Sequence, residues 1–316
     1  MTQLKKISLA LVSAGLLALV LPSAAQADVM ASSMVNMTNF TFSNSSGQLS
    51  NSDFSFLAFT SSADYSGTLS SGNFSNSSSA APIDFPSACV GSGCGAWNAA
   101  YGPNNSFTKL FAAPVGNYAA ADQFEAGAPI SGITGFPSPA SVANASYSGL
   151  TSGTDLASAN SNNNLNASLD FILNQSAGVT FSFDVNAYLQ AYLTSNEIFP
   201  GFASASYQMD FSVRDLNAGT NIFTYSPDLF GDGVRTVSLN APLPVDIQTV
   251  ENTGVSKTFS ATTPALIAGH LYQLSARIQT NSDAQRTVPE PATLALLGIG
   301  LIGLGASQRR RRHTAV

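Results

Sequence analysis

Charged residues are scarce in this sequence: they make up 9% of its 316 residues, against about a quarter in a typical soluble protein. Serine, asparagine, alanine and glycine take their place. Basic residues are scarcer than acidic ones. Between Asp28 and Thr287 the sequence has 6 of its 12 basic residues but 17 of its 18 acidic residues. That stretch therefore has a formal charge of −11. Because nucleic-acid binding needs a basic surface, we expect no nucleic-acid partner.

Histidine and cysteine are also rare, and their scarcity limits the chemistry on offer. His270 is the single histidine between Asp28 and Thr287, and no G-x-S-x-G motif occurs. A serine or cysteine nucleophile usually needs an activating base, so we assign no catalytic residue and expect His270 to be a hydrogen-bonded or solvated strand residue. Soft metal ligands are too few for a metal or cofactor site. Cys89 and Cys94, four residues apart, are expected to form a small structural disulfide in an oxidising compartment.

The first 27 residues have the order of a secretory signal peptide. Lys5 and Lys6 precede an apolar run from Ile7 to Leu21, and small residues at Ala25 and Ala27 predict cleavage before Asp28. The expected partners at this end are the Sec translocon and signal peptidase. The part of the chain between this signal and the C-terminal tail is then expected outside the cytoplasm.

The other end combines a proline-bracketed acidic motif, an apolar segment and a basic cluster. The apolar run from Ala292 to Ala306 lies in a transmembrane helix predicted at 292–307; its 15 residues span about 22 Å of helix, against about 30 Å of hydrocarbon. Local bilayer thinning lets such a segment span briefly. Basic residues stay on the cytoplasmic side, which places the C-terminus inside. The motif is Val288, Pro289, Glu290 and Pro291, and the cluster is Arg309, Arg310, Arg311 and Arg312.

This tripartite end, residues 288–312, resembles the PEP-CTERM sorting signal of Gram-negative exopolysaccharide producers. The same terminal segment is also labelled an ice-binding-protein C-terminal domain, but no regular T-x-T series occurs here. The resemblance implies an exosortase-type membrane protease as partner, with processing near Pro289-Glu290-Pro291. It further implies transient anchoring in the inner membrane, then a place at the cell surface or outside the cell, in an exopolysaccharide or biofilm context.

Between the two ends the hydrophobic pattern has the period of two that is typical of β-strands. Alternation is strongest in 165–280, where strands are predicted at Leu165–Leu173, Val179–Leu193 and Ala203–Val213, then at Asn221–Tyr225, Val234–Leu239, Val255–Ala261 and His270–Ile278. Residues 28–164 show short strands and long Ser/Asn/Gly/Ala-rich loops, least ordered over Gly127–Ala145. The prediction is an all-β, antiparallel, jelly-roll-like sandwich over 28–287, flanked by the signal helix and the transmembrane helix.

The two best strands, Val179–Leu193 and Ala203–Val213, are expected to form a hairpin. Matching their apolar faces places Phe183 opposite Val213 and Val185 opposite Phe211. Asp184 and Asp210 would then lie on the polar faces of neighbouring strands. Two carboxylates about 5 to 10 Å apart suffice for glycoside hydrolysis, so a polysaccharide-active enzyme is one alternative. The simpler reading is a solvated face with a cross-strand pair between Asp184 and Arg214.

Outward positions of the Val179–Leu193 strand form a tyrosine stripe made of Asn186, Tyr188, Gln190 and Tyr192. Aromatic rings stack on sugars while amides bond their hydroxyls, so the tyrosine stripe predicts possible glycan contact if it is uncovered. Tyrosines are also ordinary strand formers that a second layer can cover.

The segment Asp228–Gly233 has aspartates at the first and fifth positions and glycine at the sixth, as in a calcium loop. Phe230 and Leu239 stand where the third and twelfth oxygen ligands are required, so the segment is not an EF-hand. We expect a plain turn, with an irregular calcium site shared with Asn217 or Asn221 as the alternative. Together these observations favour a non-enzymatic envelope or matrix protein, with a glycan-binding module or a polysaccharide-active enzyme as alternatives.

Overall fold

The computed structural model describes residues 28–79, 84–101, 116–151, 155–194, 201–240 and 247–286. The predicted signal peptide 1–27 and the sorting segment 288–312, with its motif, transmembrane helix and arginines, lie outside the described residues. Within the described ranges, no helix combines the length and the apolar character needed to cross a membrane.

Regular structure in the described ranges consists almost entirely of strands. A short 3-10 helix lies at Asn51–Asp53 and one α-helix, α1, at Cys94–Tyr101. The strands in chain order are β1 (Val29–Asn44), β2 (Gly47–Gln48), β3 (Phe54–Ala58), β4 (Ser62–Leu69), β5 (Gly72–Ser78), β6 (Asp84–Val90), β7 (Tyr118–Ala126), β8 (Ala140–Leu150), β9 (Asp155–Leu173), β10 (Thr180–Leu193), β11 (Gly201–Asp215), β12 (Thr220–Tyr225), β13 (Thr236–Asn240), β14 (Ile247–Asn252), β15 (Lys257–Thr262) and β16 (Tyr272–Arg286).

These strands form two sheets of eight. The first has the order β14-β10-β1-β8-β7-β6, with β15 also on β10 and β2 on β1. The second has the order β12-β11-β16-β9-β4-β5, with β13 also on β11 and β3 on β9. All pairings between these named strands are antiparallel. The all-β, antiparallel prediction is therefore confirmed, whereas its jelly-roll-like order stays a prediction.

The two sheets pack face to face because their strands alternate apolar and polar residues. On β10, Phe181, Phe183 and Val185 are buried in one core, and the polar residues between them are only half-buried. On β11, Met209 and Phe211 enter the same core from the other sheet. The strands predicted at 165–173 and after residue 220 are present as part of β9 and as β12, β13, β15 and β16. The sequence pattern missed β14.

The predicted hairpin between the two best strands is wrong. Strand β10 pairs with β1, β14 and β15, whereas β11 lies in the other sheet between β12 and β16. Asp184 lies opposite Thr38 and Thr258, and Asp210 lies opposite Arg277. The apolar faces do meet, but across the interior instead of side by side. Alternation specifies which face of a strand is buried, and it leaves open which strand is its neighbour.

The description of 28–164 as loop-rich is also wrong for much of that range. Strand β8 lies in the middle of the first sheet, between β1 and β7, although it begins inside the stretch expected to be least ordered. Residues of β8 are buried on both faces, and most are alanine or serine. Small residues on both faces produce no hydrophobic alternation, so the usual strand signal is missing.

Part of the interior is lined with polar side chains instead of large apolar ones. Ser33, Asn144 and Thr280 are fully buried there. The amide of Asn144 donates to the backbone oxygen of Ile278 at 2.7 Å, and the hydroxyl of Ser33 donates to the backbone oxygen of Ser206 at 2.7 Å. These bonds cross from one sheet to the other. They satisfy polar groups that would otherwise be costly to bury, and they fix how the sheets are aligned.

The first and last described residues lie at the same end of the sandwich. The inter-sheet bonds place Val35 of β1 near Ile278 of β16 and Ser33 near Asn281. The start of β1 at Val29 and the end of β16 at Arg286 therefore lie at the same end. Asp28 exchanges backbone and side-chain bonds with Thr194 at the end of β10. We call this the terminal end. The turn between β1 and β2 and the end of β9 lie at the opposite, distal end.

Candidate functional sites

The tyrosine stripe lies on the outer face of β10, as predicted, but it is covered. Tyr188 is only 1% exposed and packs in a second hydrophobic cluster with Met30, Met34, Trp97 and Tyr147. Tyr192 is half-buried against the same cluster. The expectation of an open, sugar-stacking tyrosine surface is therefore wrong, because a second layer occupies the ring faces that a sugar would need.

The two amides of the tyrosine stripe are held by neighbouring side chains. Gln190 is buried, and its Oε1 accepts from the Tyr188 hydroxyl at 2.9 Å and from Ser32 Oγ at 3.4 Å. The side-chain oxygen of Asn186 accepts from Thr253 Oγ1 at 3.2 Å. These bonds fix the outer face of β10 as packing surface, since the groups that would bond sugar hydroxyls already have partners.

The cover is the cap segment, residues 89–97, which runs from the end of β6 into α1. Cys89 and Cys94 form a disulfide with an S–S distance of 2.08 Å. Trp97 follows within the first turn of α1 and packs on Tyr147 with ring centroids 5.8 Å apart. Gly91 has φ +120°, and a Cβ there would lie 2.2 Å from the backbone oxygen of Asn117. The disulfide and this glycine therefore shape a tight loop that presses Trp97 onto the sheet.

Asp184 and Asp210 do not form a pair. Each lies on the outer face of its own sheet, and the packed rings of Phe183 and Phe211 lie between the strands. Because stacked sheets are about 10 Å apart, outward carboxylates on the two sheets cannot act on one glycosidic bond. Asp184 accepts from Asn39 and Thr258, and these bonds lower its pKa. Its expected partner Arg214 instead donates to the backbone oxygen of Gly219.

Asp210 has its own neighbours on the outer face of the second sheet. Its carboxylate accepts from Ser226 Oγ at 2.5 Å and from Gln208 at 2.6 Å, and it lies 3.8 Å from Arg235. The arrangement is a solvated cross-strand network, which agrees with the simpler reading of the polar face.

The Asp228–Gly233 segment forms a self-bonded turn. The two carboxylate oxygens of Asp228 accept from the backbone N–H groups of Gly231 and Gly233, and these bonds lower its pKa. The ammonium of Lys257 donates to the backbone oxygens of Leu229 and Phe230 at 3.0 and 2.9 Å. Two carbonyl groups of this loop are thus bonded to the Lys257 ammonium, in the place where a calcium ion would need oxygen ligands. Asn217, named as a possible extra ligand, instead accepts from the backbone N–H of Leu271.

Asn221 lies opposite Arg214 at the start of β12, beside the Asp215 turn, whereas the 228–233 loop follows the other end of that strand. Within the described ranges, no group of three or more His, Cys, Asp and Glu side chains is placed to hold a metal ion.

His270 lies just before β16 and is paired with a carboxylate. Its Nδ1 is 2.9 Å from Asp215 Oδ2, and its ring stacks on Tyr272 with centroids 6.1 Å apart. The bond from His270, with backbone bonds from Ala218 and Asn217, lowers the pKa of Asp215. Asp215 Oδ1 closes the turn after β11. His270 therefore joins two chain turns at the distal end, in keeping with a hydrogen-bonded strand residue.

Glu125 is a buried acid that the sequence pattern did not single out. It is 1% exposed on the inner face of β7, where burial raises its pKa to about 7, against a bond from the Ser61 hydroxyl to Oε2 that lowers it. Its Oε1 has no hydrogen-bond partner among the described residues. Glu125 lies on β7, which the sequence pattern did not predict as a strand because the alanine run Ala119–Ala121 shows no alternation.

The fold and these sites define a two-sheet antiparallel β-protein with a disulfide-held cap. Residues 287–311 match the PEP-CTERM protein-sorting motif, so the chain carries this sorting signal over those residues. The motif marks it as an exported protein targeted to an exosortase-type membrane partner and sorted toward the cell surface. The motif residues themselves lie outside the described part of the chain.

Other comparisons add little. No curated protein matches the chain. Two solved structures from infectious bursal disease virus are similar over most of their length: the VP2 subviral particle, at 11% identity over 90% of this chain and 87% of that one, and the Gx strain, at 12% identity over 90% and 88%. Both have a TM-score of 0.09, so neither likeness supports an argument.

Proposed function

We propose that this chain is a cell-envelope or extracellular-matrix protein that an exosortase processes at Pro289-Glu290-Pro291 and that has no catalytic activity of its own. The observation that carries the proposal is the sorting motif at residues 287–311. The signal peptide predicted at 1–27 supplies the matching export step, with Sec translocon and signal peptidase as partners. The setting we infer is an exopolysaccharide or biofilm matrix.

The positions of the two ends of the sandwich support a stage in which the exported protein is still anchored in the inner membrane by its tail. Asp28 and Arg286 both lie at the terminal end, so a signal helix before Asp28 and a membrane tail after residue 287 would approach the membrane from one side. The sandwich then stands away from the bilayer as a unit. Every strand of the two described sheets lies between Val29 and Arg286, so removal of either hydrophobic end would take none of these strands away.

A non-catalytic role is supported by how the reactive groups are used. The two candidate carboxylates, Asp184 and Asp210, lie on opposite outer faces, and His270 is engaged with Asp215. The weakly charged surface fits a protein that stays soluble within a hydrated polysaccharide layer without binding its ions strongly.

The test is to replace Pro289, Glu290 and Pro291 with alanine and to follow the chain by cell fractionation. In a strain with an active exosortase, the triple variant should remain in the inner membrane at its longer length while the wild type is shortened and leaves. Gln285→Ala, at an exposed position just before the matched residues 287–311, serves as the matched control and should be processed. Equal retention of wild type and triple variant would contradict the proposal.

A further inference from the structure

A polar pocket of about 280 Å³ lies at the distal end, where the turn between β1 and β2 meets the end of β9. Seven polar side chains line it above the buried side chains of Leu49 and Leu173, namely Asn44, Ser46, Gln48, Ser52, Asp53, Asn174 and Gln175. Two bonds hold its walls together: Asn174 donates from its backbone N to Asp53 O at 3.0 Å and from Nδ2 to Ser52 O at 2.8 Å. The pocket is thus formed before any ligand arrives.

Several of these side chains use one end to hold their position and leave the other end open. Gln48 donates from Nε2 to the Ser138 hydroxyl, and its Oε1 stays open to accept from a ligand. Asp53 Oδ2 accepts from the backbone N–H and the hydroxyl of Ser50, and Asp53 Oδ1 stays open to accept from a ligand. Gln175 makes no side-chain bond to any other described residue and is exposed. The open acceptors of Gln48 and Asp53 are pre-organised, which lowers the entropic cost of binding, whereas the Gln175 amide becomes ordered only when a ligand binds.

The chemistry of the lining selects a class of ligand. Four amides, two hydroxyls and one carboxylate supply both donors and acceptors, with the carboxylate suited to neighbouring hydroxyl groups. The lining holds no basic side chain to attract an anion, and a single carboxylate is too few for a hard cation. The volume lies at the lower limit of small-molecule sites, which are about 300–1,000 Å³. We propose that this pocket binds one hydroxylated ring of a neutral saccharide.

The position of the pocket makes such binding useful. Strand β16 has 15 residues and runs the length of the sandwich, so about 50 Å separates the distal end from Arg286. While the tail is in the membrane, the pocket faces away from it, toward the polysaccharide outside. Binding does not require tail processing, so this proposal and the proposed function can fail independently.

The experiment uses the full-length protein in a zwitterionic detergent without a sugar headgroup. Glucose, galactose, mannose and N-acetylglucosamine, with their short oligomers, are titrated and followed by saturation-transfer NMR, with glucuronate as the charged comparison. We expect at least one neutral sugar to bind saturably at concentrations up to about 10 mM, and glucuronate to bind less well.

Gln175→Ala should weaken the binding of that sugar about fivefold, the effect of one net hydrogen bond. Gln48→Ala added to it should weaken binding further. Gln248→Ala, an exposed glutamine on β14, is the matched control and should bind as the wild type does. Absence of saturable binding by every neutral sugar, or unchanged binding in the double variant, would overturn the proposal, as would tighter binding of glucuronate.

Discussion

Phe183 of β10 and Phe211 of β11 pack against each other across the interior, with ring centroids 5.0 Å apart. Both are about 1% exposed. This pair joins the two sheets, and we expect it to contribute strongly to stability. Phe183→Ala and Phe211→Ala should each lower the free energy of unfolding by about 3–5 kcal/mol, because each leaves a cavity in the core.

The double variant distinguishes a direct contact from two independent losses. The two substitutions should couple by about 0.5–1.5 kcal/mol in a double-mutant cycle measured by urea unfolding. Phe56→Ala is the matched control, since Phe56 is 46% exposed, and it should change stability far less. A coupling energy of zero between Phe183 and Phe211 would contradict the packing of β10 against β11.

Tyr188 should act as a core residue and not as a ligand contact. Tyr188→Ala is expected to lower the free energy of unfolding by about 3–5 kcal/mol, because the ring fills the cluster under the cap segment. Tyr188→Phe should cost about 1 kcal/mol, the net worth of its bond to Gln190. Tyr192→Ala, on the same strand but half-buried, should cost less than Tyr188→Ala. Wild-type stability in Tyr188→Ala would show that the cap does not cover the stripe.

The disulfide should hold Trp97 in its buried place. Trp97 is the single tryptophan of the chain, so its fluorescence reports on the cap segment alone. Replacing Cys89 and Cys94 together with serine should lower stability by about 2 kcal/mol. The emission of Trp97 should shift to the red as the ring, 5% exposed in the native cap, meets water. An unshifted emission in this variant would mean that packing on Tyr147 holds the cap without the disulfide.

Glu125 should make the protein less stable as the pH rises. Its pKa is raised from 4.5 to about 7 in the folded state, so the unfolded chain loses this proton first. Stability should therefore fall between pH 4.5 and about 7, by roughly 3 kcal/mol, and level off above that. Carboxylates with lowered pKa values, such as Asp184 and Asp228, act in the opposite sense and at lower pH, where their contribution is lost as the pH falls.

Urea unfolding across this pH range provides the measurement. Glu125→Gln, which cannot ionise, should remove the fall in stability between pH 4.5 and 7. Ser61→Ala should make the fall larger and extend it to higher pH, because the Ser61 hydroxyl stabilises the charged carboxylate. Identical pH profiles for the wild type and Glu125→Gln would contradict the burial of this acid between the sheets.

The period-two pattern predicted the class of the fold and the buried faces of β10, β11 and β16, because large apolar residues alternate there. It did not predict partners: Phe183 and Phe211 belong to one core, yet their strands lie in different sheets. It also missed β7 and β8, whose many small residues are buried on both faces and so produce no hydrophobic alternation. The disulfide followed from the spacing of Cys89 and Cys94, but nothing nearby in sequence showed that it presses Trp97 over Tyr188.

The sorting tail was the clearest feature of the sequence, since a motif, a hydrophobic segment and a basic cluster in fixed order depend on no long-range contact. Sites on the body depend on pairing between distant strands. The distal pocket joins Asn44 to Asn174, 130 residues apart in the chain. No local pattern marks such a pair, and only the fold brings the two residues together.

The most direct test of the account is the intact mass of the protein recovered from outside the cells. We predict a chain that begins at Asp28 and ends near Pro289-Glu290-Pro291, without the arginines 309–312. In a strain that lacks the exosortase, the same chain should keep those arginines and remain in the inner membrane. A released protein that still carries Arg309 to Arg312, or a full-length chain free in the cytosol, would contradict the account.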